Sequence, residues 1–273
     1  MVPFAWESRA MAAGDAARSP GEGELVVVGP SKAVAQEGEL VYPGDRITFG
    51  ATAPPLVMLG AGVLREEGHV IASKAGILRF DAAERRLSVE ADQRRYVPAL
   101  GEHVVGVVVE KLSEEYRVDL GCSSPAALPV LAFDGATRRN RPNLHVGSLV
   151  FARVVLAHKD MEPELSCAAP VGVMSKDWMT GQSLFGELKG GTTFRCSLAH
   201  ARSLAADDRP GGELLALIGE HVPFEVAVGA NGRVWLNAGT VAQLVAIQTV
   251  VSRAMDAPAE QRARIVADAL ARR

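Results

Sequence analysis

Residues 25–96 carry short apolar runs cut by turn residues. Leu25-Val26-Val27-Val28 stops at Gly29-Pro30, and Pro43-Gly44-Asp45 precedes Arg46-Ile47-Thr48-Phe49. Val63-Leu64 leads through Glu66-Glu67-Gly68 to His69-Val70-Ile71-Ala72, and Ile77-Leu78-Arg79-Phe80 turns at Asp81 toward Leu87-Ser88-Val89. Runs of this length between turn signals predict hairpins in a small all-β domain. Residues 97–170 predict five more strands. His103 to Val109 is almost continuously apolar, the pattern of a strand buried on both faces. Tyr116, Val118 and Leu120 alternate with Glu115, Arg117 and Asp119, the pattern of a half-exposed strand. Leu128 to Phe133, Leu149 to Ala157, and a short segment around Leu165 and Cys167 complete the set. Five short strands in so short a stretch predict a closed OB-type barrel, in which closure removes the exposed edges.

From residue 171 the pattern mixes helix and strand. Thr192 to Asp207 and Glu213 to His221 read as helices. Phe224-Glu225-Val226-Ala227-Val228 and Arg233-Val234-Trp235-Leu236 alternate at period two around Gly229-Ala230-Asn231-Gly232, whose Asn-Gly pair is a hairpin-turn signal. Val241, Leu244, Ile247, Val251 and Ala254 then recur at helical spacing. Pro258 opens a last helix with Ala263, Val266 and Leu270 on one side. The order strand, helix, helix, strand, strand, helix is that of a type I KH domain. The expected fold is therefore multidomain, mostly β and then α+β. A disordered tail (1–24, rich in Ala, Gly, Ser and Pro) precedes an N-terminal β domain (25–96), an S1-type OB barrel (97–170) and a type I KH domain (171–273).

Composition narrows the function. The 273 residues suit two or three small domains, and 48% hydrophobic residues suffice for a packed core. With 29 Lys+Arg against 32 Asp+Glu the net charge is −3, which excludes a globally cationic nucleic-acid coat but not a local basic patch. Three scattered cysteines, Cys122, Cys167 and Cys196, give neither a disulfide framework nor a zinc ribbon, and point to a reducing, intracellular setting. The longest late apolar stretch, Val241 to Val251, is too short for a bilayer and is broken by glutamines, so no membrane partner is expected. No secretory signal is read at the N-terminus.

The densest basic cluster is Arg138, Arg139 and Arg141, between the third and fourth barrel strands. Guanidinium forks suit phosphate oxygens. The same arginines equally suit acidic groups on a neighbouring subunit or packing against the N-terminal domain. OB-type barrels bind nucleic acid on strands two and three and on the loops joining strands one to two and four to five. That rule adds Lys111, Arg117, His158 and Lys159 as candidate nucleic-acid contacts. Tyr116 and Phe133 are candidates for stacking on bases, against a core role that the alternation around Tyr116 favours. Glu114 and Glu115 beside them repel phosphate, so the expected affinity is weak, independent of sequence and strongly salt-dependent.

Gly229-Ala230-Asn231-Gly232 matches the GXXG pattern by which KH domains clamp a nucleic-acid backbone. That clamp joins two helices, whereas this string joins two strands. The clamp's proper place, Asp208-Arg209-Pro210-Gly211-Gly212-Glu213, lacks the pattern and loses a donor to proline. Gly229, Asn231 and Gly232 are therefore expected to be structural. Asp160, Glu162 and Glu164 read as a solvated turn, with a divalent-ion site as the alternative. The six histidines have no HExxH spacing, and no GxSxG elbow or phosphate-binding GKS/T loop occurs. No catalytic residue, metal site or cofactor is expected.

Several strings together resemble a known family. They are Gln93-Arg94-Arg95-Tyr96-Val97-Pro98, Gly101-Glu102-His103-Val104-Val105-Gly106, Phe133 through Asn143 (FDGATRRNRPN), His158-Lys159-Asp160-Met161-Glu162-Pro163-Glu164, and Gly229 through Trp235. Over roughly residues 40 to 273 the chain resembles the small non-catalytic cap subunit of the eukaryotic RNA exosome, the ribosomal RNA-processing protein 40 (exosome component 3) family. The resemblance implies an N-terminal β domain, an S1 domain and a KH domain. It also implies a place on a ring of ribonuclease-PH-like subunits beside other cap subunits, contact with single-stranded RNA entering the ring channel, and a Gly-X-Asn-Gly string packed against the barrel. It further implies a role in rRNA processing and RNA degradation, in the nucleus and nucleolus and also the cytoplasm. The alternatives are the paralogous S1/KH cap subunit, a purely structural brace without RNA contact, and, from another class, a metal-dependent nuclease using Asp160.

Overall fold

In the computed structural model the described residues are 25–29, 32–35, 38–49, 57–81, 85–158, 160–170, 172–173, 176–180, 183–205 and 210–270. The expected tail, 1–24, lies outside them. The chain divides into two compact units, residues 1–92 and 93–273.

Among the described residues the first unit holds nine strands: β1 (Leu25–Gly29), β2 (Lys32–Ala35), β3 (Leu40–Val41), β4 (Arg46–Phe49), β5 (Met58–Leu59), β6 (Val63–Glu66), β7 (His69–Ala72), β8 (Gly76–Asp81) and β9 (Arg86–Glu90). They form one sheet of order β2-β1-β4-β7-β6 and another of order β3-β8-β9-β5. Val41, Ile47, Val63, Val70, Leu78 and Leu87 meet in its core. The hairpin pattern is as the apolar runs predict. The turn before β4 closes through the buried Asp45, whose carboxylate accepts from Tyr42 N–H at 2.8 Å. Gly44 takes the positive φ, +93°, that such a turn needs.

The second unit begins with the barrel: β10 (His103–Lys111), β11 (Glu115–Asp119), β12 (Ala126–Pro129), β13 (Leu149–Leu156) and β14 (Glu164–Ser166). Their order is β10-β11-β12-β14-β13, closed by β10 pairing with β13, and only the β12–β14 contact is parallel. This is the five-stranded OB topology. β12 ends at Pro129, earlier than the apolar run predicts. Ala132 N–H turns back to the Pro129 carbonyl at 3.0 Å, and Phe133 makes only a bridge to Cys167. β15 (Gly186–Leu188), not foreseen, adds to the first half of β13.

After a 3-10 turn at Trp178–Thr180 and β15, the KH region holds β16 (Thr192–Arg195), α1 (Leu198–Leu204), α2 (Pro210–Gly219), β17 (Phe224–Val228), β18 (Arg233–Ala238), α3 (Val241–Ala254) and α4 (Ala259–Leu270). The antiparallel sheet runs β16-β18-β17. The βααββα order of a type I KH domain is present, but the helix read over Thr192–Asp207 needs correcting. Thr192 and Thr193 are β-branched and pair with Leu236 and Trp235, so a strand comes first. The helix starts only after Ser197, whose hydroxyl accepts from His200 N–H at 3.1 Å. Pro210 occupies the first turn of α2, where its missing N–H costs nothing. Thr240 and Gln243 form a capping box on α3. Of the apolar positions assigned to α3, Ile247, Val251 and Ala254 are buried, whereas Val241 at the first turn is 75% exposed.

The barrel and the KH sheet share a contact layer, which is why they form one unit. Val104 points into the barrel core, and Val105, on the other face of β10, packs against Ala227 and Trp235. The continuous apolar pattern of β10 thus has a physical cause: one face is core and the other is roofed by the KH sheet.

Candidate nucleic-acid interface

The arginine cluster sits on a loop held from below by one buried side chain. Tyr116, 1% exposed, donates its hydroxyl proton to the Pro142 carbonyl at 2.6 Å and accepts from Leu144 N–H at 3.3 Å. Its body fills the barrel core, and Phe133 is likewise buried, so neither ring offers a face to a base. Above them Thr137 and Asn140 exchange two backbone hydrogen bonds, 2.8 and 3.1 Å long. Arg138 and Arg139 form the tip of that turn. Both are exposed, and neither has a hydrogen-bond or ion-pair partner among the described residues. Arg141, also exposed, donates to the Ser113 carbonyl at 3.2 Å, and Lys111 donates to Asn143. These contacts seat the arginine loop on the β10–β11 hairpin and bring Lys111, Arg138, Arg139 and Arg141 to one end of the barrel.

The other predicted contacts are differently placed. Arg117, on β11, lies between Glu115 (3.2 Å) and Glu162, to which it donates. The Glu162 hydrogen bond and the surrounding carboxylates raise its already high pKa further. His158 is exposed in the β13–β14 loop, with Nδ1 3.8 Å from the Asp160 carboxylate. Lys159 lies outside the described residues. The acidic string does not gather into a metal-ligating group among the described residues: Glu162 turns onto Arg117, and Glu164 enters β14.

The Gly-X-Asn-Gly string lies in the barrel–KH contact layer. Asn231, 9% exposed, accepts from Val105 N–H at 3.3 Å and donates to the carbonyls of Val105 (2.8 Å) and Leu120 (2.9 Å). Ala230 N–H donates to the His103 carbonyl at 2.8 Å, Gly229 N–H to Arg233, and Gly232 N–H to Gly229. Three of the amides that a GXXG clamp could offer to phosphate, those of Gly229, Ala230 and Gly232, are spent inside the protein. A Cβ at Gly229 would lie 2.6 Å from Val105 N, and one at Gly232 would lie 2.7 Å from the Cys196 carbonyl, where φ is already +77°. Close approach of neighbouring backbone calls for glycine at both positions. At the expected clamp position, Asp208 and Arg209 lie outside the described residues, while Gly211, in the first turn of α2, is buried and its N–H donates to the Ser203 hydroxyl at 3.0 Å.

Sequence reasoning missed two further links in this layer. Arg233, 7% exposed, donates to the Asp119 carbonyl at 2.6 Å and to the Asp119 carboxylate. Burial alone would raise the Asp119 pKa. The hydrogen bond from Arg233, the Gly121 N–H and the charges of Arg233 and Arg195 outweigh it, and the net shift is downward. Trp235 Nε1 donates to the Gly190 carbonyl at 2.9 Å while its ring packs on Val105. The available signal was an arginine opening an otherwise apolar strand. Beside this layer His103 meets Phe185 and Phe151 edge-on, at 5.1 and 5.8 Å. Burial, then the charge of Arg153, lowers its pKa.

Comparison with known proteins adds the family. Residues 96–176 match the model of the S1 domain of exosome complex component RRP40, and residues 191–242 match a KH-domain model. The chain is 40% identical to the exosome complex component rrp40 of Schizosaccharomyces pombe, over 80% of this chain and 90% of that protein. It is 39% identical to RRP40 of Drosophila melanogaster over 78% of this chain and 88% of that protein. It is 32% identical to human RRP40 over 84% and 89%. The S1-type barrel, the KH domain behind it and identities of 32–40% across most of both chains lead to one conclusion: the chain belongs to the RRP40 family of exosome complex components.

Proposed function

We propose that the chain is a non-catalytic RNA-binding and scaffolding cap subunit of an RNA exosome. It guides single-stranded RNA toward the ring channel for processing and decay from the 3′ end, and it holds ribonuclease-PH-like ring subunits and other cap subunits together. The observation that carries the RNA role is the Thr137–Asn140 turn, which presents Arg138 and Arg139 to solvent without internal partners among the described residues. Phosphate contacts of this kind position RNA without reading its sequence. Because the Gly229, Ala230 and Gly232 amides and the Asn231 side chain are engaged internally, the KH domain serves as a buttress for the barrel, with Gly229, Asn231 and Gly232 as its structural contacts. Affinity from this chain alone is accordingly weak and salt-dependent. Lys111 and Arg141 extend the arginine patch, His158 lies on the β13–β14 loop, and Lys159 is a candidate contact by its sequence position alone. The complexes it joins work in the nucleus and nucleolus and also in the cytoplasm. No helix among the described residues is long and apolar enough to cross a membrane.

Affinity capture of the full chain from cells tests the assembly role. Recovery of ribonuclease-PH-like proteins is the expected outcome, and their absence from the captured set contradicts it. Incubation of the purified chain with RNA and magnesium tests the non-catalytic role. RNA stays intact if the reading holds; cleavage that disappears in Asp160→Asn overturns it.

A further inference from the structure

We propose that Glu162 is a built-in competitor for RNA phosphate at Arg117, so that the strand face on which OB barrels bind nucleic acid is self-occupied in this chain. The proposal rests on the reading that RNA passes over this barrel. Arg117 stands on β11, on that face, and its guanidinium already holds two carboxylates: Glu115 of its own strand, 3.2 Å from Nε, and Glu162, which accepts from Nη1. Glu110 sits opposite Arg117 in the β10–β11 ladder and adds a third negative charge to its surroundings. One guanidinium against three carboxylates leaves the spot net negative. Carboxylate and phosphate oxygens are equivalent acceptors for a guanidinium fork, so a phosphate reaches Arg117 only by replacing one of them.

Glu162 is the carboxylate built to leave. It arrives from the β13–β14 loop, 45 residues along the chain, rather than from the same strand. The next residue fixes the loop: Pro163 is buried, and its carbonyl accepts from Ala127 N–H of β12 at 2.9 Å. The Glu162 side chain itself is 55% exposed. Exchange with phosphate therefore needs a side-chain rotation and no movement of the barrel. A phosphate path across this face opens only where RNA is held nearby at high local concentration, as the arginine turn would hold it.

The test titrates a fluorescent oligouridylate against the full-length chain over a range of salt. It compares wild type, Glu162→Gln, Arg117→Ala, the double variant Arg117→Ala/Glu162→Gln, and Arg138→Ala/Arg139→Ala, with a thermal melt of each. Glu162→Gln is expected to tighten binding at low salt by up to about fivefold, the scale of an exposed ion pair. It should also steepen the log–log salt dependence by about 0.7, the value of one added phosphate contact on a single strand. Both gains should vanish in the Arg117→Ala background. Unchanged affinity in Glu162→Gln, with or without a lowered melting temperature, overturns the proposal, as does an equal gain when Arg117 is absent. Loss of binding in Arg138→Ala/Arg139→Ala together with no gain in Glu162→Gln overturns the competitor and leaves the RNA role standing. Binding by neither wild type nor Glu162→Gln overturns both.

Discussion

Asn231 and Val105 are joined twice: the Asn231 side chain accepts from Val105 N–H and donates to the Val105 carbonyl, at 3.3 and 2.8 Å. One amide thereby pairs with both backbone groups of a residue in the first barrel strand, as a neighbouring strand would. Its second donor hydrogen goes to Leu120. Because these groups are buried, Asn231→Ala leaves them unpaired, at about 1–3 kcal/mol for each orphaned group. Asn231→Asp does similar damage by turning a donor into an acceptor facing two carbonyls. Chemical denaturation should show the loss for residues 93–273. A variant that lost RNA binding with an unchanged melt would contradict the structural role.

The second cross-layer link is acid-sensitive. Asp119 is held below its ordinary pKa in the folded chain. Its contribution is therefore present in full above the ordinary carboxylate range and is lost as pH falls through the depressed folded value. Asp119→Asn should flatten the acid limb of stability against pH while lowering stability near neutrality. Urea midpoints measured from neutral to acid pH check this. Parallel limbs for wild type and variant would show that the Asp119–Arg233 pair does not couple to folding.

Tyr116→Phe keeps the core volume and removes one hydroxyl. The Pro142 carbonyl and Leu144 N–H then lose their shared partner in a buried setting. A cost of about 1–3 kcal/mol is expected, together with weaker RNA binding because the loop carrying Arg138, Arg139 and Arg141 loses its anchor. The thermal melt and an oligonucleotide titration on the same variant check the two effects. The titration should move even at temperatures well below the melt.

Arg138→Ala/Arg139→Ala touches no internal partner among the described residues, so the melt should stay within about 0.5 kcal/mol of wild type. Two lost phosphate contacts should lower the log–log salt slope for single-stranded RNA by about 1.4.

Much of this was legible in the residues. The alternation of Tyr116, Val118 and Leu120 marked β11, and the Asn-Gly turn marked the β17–β18 hairpin. The mismatch between Gly229–Gly232 and the usual place of a KH clamp supports the structural role proposed for that loop. What stayed hidden depends on partners distant in sequence. Thr192–Arg195 reads locally as the start of a helix, and only pairing with β18 makes it a strand. The pairing of Arg117, a candidate phosphate contact, with Glu162 is likewise hidden because Glu162 lies far along the chain. The Arg233–Asp119 link is invisible locally because its two residues belong to different domains.

The most direct test of the whole account is RNA crosslinking in the assembled exosome with the full chain in place, mapped to residues, with Arg138→Ala/Arg139→Ala assemblies assayed for RNA decay alongside. Crosslinks are expected on the 137–143 loop and not on Gly229–Gly232, together with slower decay of long single-stranded substrates in the variant assembly. An assembly in which Lys111, Arg138, Arg139 and Arg141 never crosslink, and whose alanine variants degrade RNA at the wild-type rate, would contradict it and leave the chain as a brace alone.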